Sequence, residues 1–544
     1  MPPLELLDPR LSPACVCPSY GRTDCNLRGE LIIVVYFGLA YQPPDFQCAA
    51  SEFDNLTLNI TTNMYASYEQ CHIKIFENDT GVQKLVKETV CTNGFQYSLA
   101  KDSTIVTEMD LVCDRANSAE LLQTLVFGGQ LVGAAFASSL SDRFGRKAVH
   151  LGSNLLTLTF GIGVAFSSNF LMLAILKFIL GVLQQGMVMT GAVLSLELFP
   201  EKTRFYSEAL ASVFWTTGLV IMSAIAYLMR NYSWRYLQIS LTCFSIFSLF
   251  QFWIQDESLR WLAINGKRKE ANKIIKKVSR WNKVKYCDLS QIVDRKMAQT
   301  KDKCMTEDQP ANVIIVEKFS IITILRKRSI FIISVMMWFT WVTNTMTYFG
   351  LTLTSTSLAG NRFLSFFLSA CVEYIGVILQ YLMLPCLGRR TITVVFHAIT
   401  GLSLMIATIL DHFSEGSSTL AHTSIIASYI GKMSITGSFS TLFLYTPELY
   451  PTNLRNVGIG ISSTFSRIGA MLSPFAGALA REVAWAPGSI FSFMCFLVVI
   501  LSLYLPETRG WDLPQTMAEV KMWYKENSGF RLRKTRPMTE STNL

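Results

Sequence analysis

Two residues of opposite charge sit deep inside apolar segments. Glu373 lies eleven residues after Arg362 and sixteen before Arg389, and Arg467 lies twelve residues after Arg455. On a helix rising 1.5 Å per residue, both come out roughly 16–18 Å from the nearer flank. That is the middle of a hydrocarbon layer about 30 Å thick. A carboxylate left alone there tends to take up a proton, whereas a guanidinium cannot shed one. Either the two neutralise each other, or each awaits a ligand group: an ammonium for Glu373, a carboxylate for Arg467. Cations also bind aromatic faces, at about 0.5–2 kcal/mol each. Phe214, Trp215, Tyr348 and Tyr445 are candidates for that, although lipid contact or core packing is the commoner use of such residues. Lys177 and Lys432 are further cations in apolar runs.

A different chemistry is absent. The chain contains no G-x-S-x-G, H-E-x-x-H or P-loop G-K-[ST] string, and its five histidines are scattered. Neither nucleophilic catalysis, nor a metal centre, nor nucleotide-driven work has a sequence signature here. The expectation is a protein that is not an enzyme and holds no metal or cofactor. The net charge of +9 is unevenly spread, so it does not read as a nucleic-acid footprint.

The elements that must carry these residues follow from composition. Half of the 544 residues are hydrophobic, 16% are charged, and the mean hydropathy is +0.33. Spans of about 20 apolar residues are predicted near 119–140, 148–168, 170–195, 206–229, 234–254, 329–353, 362–386, 391–411, 419–445, 456–480 and 484–506. Helices satisfy their own backbone in lipid, so an all-α bundle in the bilayer is expected. A twelfth span is shorter: "LIIVVYFGLAY" at 31–41, read as a degenerate first helix over 28–44, after an N-terminal segment 1–27.

Charge orients the bundle. Segment 42–118 holds eleven acidic and five basic residues, and segment 255–328 holds eighteen basic and nine acidic. The positive-inside rule then places 255–328 and the tail 507–544 on the cytoplasmic side, and 42–118 outside. The outer loop carries three glycosylation acceptors, Asn55, Asn59 and Asn78, and four cysteines, Cys48, Cys71, Cys91 and Cys113. In an oxidising compartment these suggest two disulfides, with three possible pairings. In the linker, "KRKEANKIIKKVSRW" places Ala271, Ile274, Ile275 and Val278 on one stripe. It reads as an amphipathic helix, either solvated or lying along the membrane surface.

The chain also repeats itself. Glu197, Pro200 and Arg204 recur as Glu448, Pro451 and Arg455, all at an offset of 251. "SDRFGRK" (141–147) is echoed by "PCLGRR" (385–390), and "DESLRWL" by "PETRGWDL". Two homologous halves follow, 28–254 and 329–506, joined by the linker. Gly145 and Gly388 allow tight turns. Asp142, Arg143, Arg146, Glu197, Arg204, Arg389, Glu448 and Arg455 can form carboxylate–guanidinium latches between helix ends. The plainer reading is that such charges only set orientation.

"SDRFGRK", with "GRR" at the matched position, resembles the signature of the major facilitator superfamily. "STIVTEMDLVCDR" (103–115), "LYTPELYPTNLRNVGIGISSTFSRIG" (444–469) and "LPETRG" (505–510) resemble the organic ion transporters of the solute carriers, closest to the organic cation/carnitine branch. The resemblance runs from about residue 43 to 515 and implies two six-helix bundles and alternating access at the plasma membrane. It implies a small organic ion as partner: a zwitterion of the carnitine kind or an organic cation, with an organic anion or a transport-inactive scaffold as alternatives. Cation-selective relatives carry an acid where Arg467 stands, and a Glu at the position of Glu373 is typical of the cation and carnitine branches. The aromatic candidates lie on helices that line the family's pathway, and Gln184 matches a polar position of carnitine-type relatives. Met187 stands where sodium-coupled relatives carry an amide, so sodium coupling is not implied. "DESLRWL" departs from the family's P-E-S-P-R-W-L, and the outer loop has four cysteines where relatives often have six.

Overall fold

The structure is a computed structural model. It describes residues 45–49, 64–79, 82–91, 93–198, 204–246, 250, 252–253, 255–282, 321–355, 361–414, 417–451 and 454–509. The expected first helix over 28–44, Asn55, Asn59 and Pro200 lie outside them.

The outer loop is a small β structure. Strands β1 (Phe46–Cys48) and β5 (Phe95–Tyr97) pair antiparallel, and β2 (Met64–Tyr68), β3 (His72–Asp79) and β4 (Val82–Val90) form a second sheet in sequence order. Of the three possible pairings, the disulfides are Cys48–Cys91 and Cys71–Cys113. Cys48 closes β1 and Cys91 follows β4, so the first bridge ties the two sheets together. Asn78 falls at the tip of the β3–β4 hairpin, next to the terminal pair Asp79–Val82. Helix α1 (Ile105–Glu108) starts on a capping box in which Thr104 and Thr107 satisfy each other's backbone N–H.

Four membrane-scale helices follow, α2 (Asn117–Phe144), α3 (Arg146–Ala165), α4 (Phe170–Leu198) and α5 (Arg204–Leu228), and then the shorter α6 (Trp234–Cys243). The linker contributes α7 (Leu259–Ile264) and α8 (Arg268–Asn282). The second half comprises α9 (Ile321–Arg326), α10 (Arg328–Thr354), α11 (Arg362–Met383), α12 (Arg389–His412), α13 (Ser418–Leu449), α14 (Arg455–Leu472), α15 (Pro474–Glu482) and α16 (Ala486–Tyr504).

Among the described residues, eight helices are long and apolar enough to cross a membrane. Three expected spans are not among them, each for a visible reason. The 234–254 span leaves the α-helix after Cys243 for a short 3-10 turn. The 419–445 span forms α13, which runs unbroken but buries Ser428, Lys432, Ser434, Thr436, Ser438, Ser440 and Thr441, so it is less apolar than those eight spans. The 456–480 span breaks in two at Ser473, where Pro474 cannot donate to the preceding turn and begins α15 instead.

By packing, the chain divides into two compact units. One takes 1–311, 349–371 and 470–482, and the other 312–348, 372–469 and 483–544. In the first, α2 and α3 both pack on α4, and α15 packs on α2. Phe349 lies 5.0 Å from Phe127 and Phe363 5.8 Å from Tyr227, contacts that join 349–371 to this unit. In the second, α12 packs on α13 and α16. Each unit buries one histidine between corresponding helices. His150 of α3 faces the Met187 carbonyl of α4 at 3.0 Å, and His397 of α12 faces Ser438 of α13 at 3.0 Å.

Candidate functional site

Glu373 sits midway along α11 and is 1% exposed. A bare carboxylate at that depth is costly, and two neighbours answer it. The Lys432 ammonium of α13 lies 3.1 Å from Oε1. The Tyr348 hydroxyl of α10 donates to Oε1 at 3.1 Å and to Oε2 at 3.0 Å. Lys432 also donates to the Tyr348 carbonyl at 3.1 Å and stands 3.4 Å from the centroid of the Tyr348 ring. Phe439, two turns further along α13, tilts against that ring at 5.5 Å. The result is a cation seat with a carboxylate wall and aromatic sides, holding the protein's own ammonium.

Of the two alternatives for Glu373 and Arg467, neutralising each other or each awaiting a ligand group, the first is not what holds Glu373. The cation on Glu373 is Lys432, which sequence reasoning left without a role. Its signal was present: Lys432 is a lone cation in an apolar run, and such a cation needs an acid somewhere in the bundle. Arg467 stands half-buried on α14. Two residues before it, Phe465 stacks on Trp338 of α10 at 4.6 Å and 10°. Two residues after it, the backbone at Gly469 abuts Val342 of α10.

Tyr445 is also corrected. It is wholly buried in an apolar cluster with Trp341, Leu442 and Tyr450, and its hydroxyl donates to the Pro506 carbonyl at 2.7 Å. Its ring packs in the core of the second unit, away from the Glu373–Lys432 contacts described above. Phe214 and Trp215 are partly buried on α5, with Trp215 against the core of the first unit. Gln184 of α4 is 1% exposed, and its Oε1 has no hydrogen-bond partner among the described residues. The neighbouring Gln185 is buried in the same condition at both amide atoms. Lys177 approaches Gln238 of α6 at 3.5 Å. Of the seven predicted ligand-binding residues, the structure brings Tyr348 and Glu373 into direct contact.

The charge knots form two clusters of the same design. In the first unit Arg146 bridges Asp142 at 2.7 Å and Glu197 at 3.4 Å. Glu257 accepts from the Arg146 backbone N–H at 3.0 Å and from that of Lys147 at 3.2 Å, so it caps α3. A carboxylate at a helix N-terminus meets both free N–H groups and the positive end of the dipole. The Trp261 indole ties the linker to the Asp142 carbonyl at 2.8 Å. Arg143 is exposed, its guanidinium over the Phe144 ring. In the second unit Arg389 bridges Glu448 at 3.3 Å, and Glu507 accepts from the N–H groups of Arg390 (3.4 Å) and Thr391 (3.3 Å) to cap α12. Arg455 donates to the Pro447 carbonyl at 2.9 Å. Arg204 begins α5, and its side chain is outside the described residues.

Glu257 and Glu507 were missed as functional residues, although the "DES" and "PET" echo placed them 250 residues apart. They explain the two glycines. Gly145 has φ +102°, and a Cβ there would come 2.5 Å from Glu257 Oε2. A Cβ at Gly388 would overlap the Glu507 carboxyl group. Gly145→Ala should therefore destabilise the chain by about 1–3 kcal/mol from the backbone conformation alone, and further through the overlap. A thermal double-mutant cycle with Glu257→Ala checks this: the double variant should lose less than the two single losses added together. Strict additivity would mean that the carboxylate does not set the glycine.

A third ion pair also escaped the sequence reading. Glu120, in the first turn of α2, pairs with Arg481, in the last turn of α15, and Thr124 donates to the Met471 carbonyl at 3.1 Å. Glu120 is 6% exposed. This contact joins a helix of the first sequence half to one of the second. Among the described residues no group of three or more His, Cys, Asp or Glu side chains could hold a metal ion.

Comparison with known proteins gives a consistent picture. A family model for sugar (and other) transporters matches residues 76–518. The chain is 33% identical to organic cation/carnitine transporter 2 of Rattus norvegicus, over 82% of this chain and 78% of that protein. It is 31% identical to solute carrier family 22 member 16 of Xenopus laevis, over 84% of this chain and 77% of that protein. In fold it is similar to the E. coli xylose transporter XylE in a partially occluded inward-open conformation, with a TM-score of 0.61 at 12% identity, covering 91% of this chain and 99% of that one.

Proposed function

Since the chain belongs to the organic cation/carnitine transporter family of the solute carriers, within the major facilitator superfamily, we propose that it carries small organic ions across the plasma membrane by alternating access. The substrate class we favour is a zwitterion of the carnitine kind or an organic cation. One observation supports this most: a buried carboxylate, Glu373, bonded by Tyr348, whose ring packs on Phe439, already holds an ammonium. A substrate ammonium fits the same chemistry, binding the carboxylate by charge and the rings by cation–π attraction.

In this reading Lys432 is a tethered stand-in. When substrate enters, its cationic head displaces the Lys432 ammonium from Glu373. When substrate leaves, Lys432 returns and neutralises the acid, so the empty carrier reorients without a buried net charge. No coupling cation is then needed to reset the cycle, which agrees with Met187 standing at the position noted above. Arg467 takes the carboxylate of a zwitterion, as an always-charged bidentate donor.

The two capped clusters serve as inner latches. Asp142, Arg146 and Glu197 in one unit, and Arg389 and Glu448 in the other, would hold helix ends together while the path is open outward, and Glu257 and Glu507 would keep the helix starts in register. Segment 42–118 faces outside and is glycosylated; the linker and tail face the cytoplasm.

The experiment is uptake of a cation, an anion and a zwitterion by one cell line, competed against each other, in the wild type and in Arg467→Ala. Loss of the guanidinium should weaken carboxylate-bearing substrates by roughly 10–100-fold, the worth of a charge-assisted pair, and leave pure cations nearly unchanged. Equal losses for both would remove the counter-ion role of Arg467. A preference for anions in the wild type would favour an organic anion transporter, and absence of saturable flux a scaffold.

A further inference from the structure

The linker helix α8 has a basic face to which the proposed function assigns no role. Ala271, with Ile274 beside it, packs with Trp261 and Leu262 of α7, and Ile275 is buried on the same side of the helix. Lys269, Lys273, Lys276 and Arg280 are exposed. At about 100° per residue these four fall within an arc of about 60°, on the side of the helix opposite the packed one. The helix contains a single acid, Glu270, and Lys267 lies 3.9 Å from it.

The position of the helix matters as much as its charge. Phe250, Phe252 and Trp253 are exposed aromatics at the end of the first half, with Trp253 at 74%. In a membrane-spanning chain such residues mark the interface between hydrocarbon and headgroups. Lys147 donates to the Phe252 carbonyl at 2.9 Å and stands 5.1 Å from its ring, as a lysine does when its stem lies in lipid and its head reaches water. Asp256, three residues beyond Trp253, bonds Lys277 of α8 at 2.5 Å. The middle of α8 is thus tied within a side chain's length of the interface.

We propose that the Lys269–Lys273–Lys276–Arg280 stripe binds the headgroups of anionic phospholipids, so that α8 lies on the membrane surface as a charged anchor for the linker. Each basic residue at an anionic surface is worth about a five-fold preference, so the stripe commands a preference of up to several hundred-fold. The inference is independent of the transport reading. A nanodisc presents both leaflets, so its test is also independent of which side the linker faces.

The test uses the purified full chain in nanodiscs of phosphatidylcholine alone, or of phosphatidylcholine with phosphatidylserine, read by amide hydrogen exchange. Residues 268–282 should exchange more slowly in the anionic discs, with α12 unchanged as an internal control. High salt should erase the difference, and inorganic phosphate added to neutral discs should not reproduce it. The fourfold variant K269Q/K273Q/K276Q/R280Q should exchange alike in both discs, while K269R/K273R/K276R should retain the difference. Equal exchange of the wild type in both discs overturns the proposal. So does full protection already in neutral discs, which would mean that protein covers the stripe, and so does protection by free phosphate alone.

Discussion

Glu373→Gln should lower uptake of ammonium-bearing substrates on the order of 10²–10³-fold, because it removes the carboxylate that holds the cation in a medium of low polarity. Loss of fold is the competing explanation, since Gln at 373 leaves the Lys432 ammonium buried beside a neutral amide. The double variant Glu373→Gln/Lys432→Met answers it. Replacing a buried ion pair by groups of similar volume is often neutral for stability, whereas removing one partner costs about 3–5 kcal/mol. The double variant should therefore reach the cell surface like wild type and still fail to transport. Lys432→Met alone tests the stand-in. With the tethered ammonium gone, the empty carrier must recruit an ion to neutralise Glu373, so residual uptake should become dependent on sodium or on a proton gradient, while wild type and Lys432→Arg stay indifferent. Ion-independent uptake by Lys432→Met would mean that Lys432 is only a structural counter-charge.

The sequence made the architecture legible because lipid imposes a single strong rule, and runs of about twenty apolar residues obey it wherever the chain is uniformly apolar. It blurred where polar content or proline intervened. Several buried hydroxyls of α13 are bonded within the protein, Thr436 to the Lys432 carbonyl, Thr441 to that of Gly437 and Ser424 to that of Ala407 on α12, so they are tolerated in an interior more polar than a uniformly apolar span. Pro474 splits a span that composition alone would join. The site was half legible. Depth along the helix singled out Glu373 from spacing alone. Its partner was not legible, because helix-to-helix adjacency is a property of packing, and both Arg467 and Lys432 are cations within apolar runs. Tyr445 shows the converse: an aromatic on the right helix turned out to fill the core. The internal repeat held the most recoverable information, since the echo of Glu257 as Glu507 marks both residues that cap α3 and α12 in the structure, although the echo alone did not reveal that role.

The Glu120–Arg481 pair had no such echo, and it leads to the second large effect. It links the N-terminal turn of α2 to the end of α15, at the opposite end of α2 from the Asp142–Arg146 cluster. In the proposed alternating-access cycle, with segment 42–118 outside, a contact of that kind would close the outer side, so breaking it should shift the protein toward outward-facing states. Arg481 is 47% exposed, so its attraction is screened, and an exposed pair is worth only about 1 kcal/mol. Glu120 is buried, however, and Arg481→Ala would strand its carboxylate, at a cost nearer 3 kcal/mol. The equilibrium should therefore move between about 5-fold and 150-fold. Gln123, one turn beyond Glu120 and 7% exposed, reports the change. In a Gln123→Cys background free of other reactive thiols, Arg481→Ala or Arg481→Glu should speed labelling by an impermeant maleimide from outside. Glu120→Arg combined with Arg481→Glu restores the opposite charges and should slow labelling again. If the swapped pair labels as fast as the single reversal, the two side chains do not hold each other, and the outer closure rests on the packing of α2 against α15 alone.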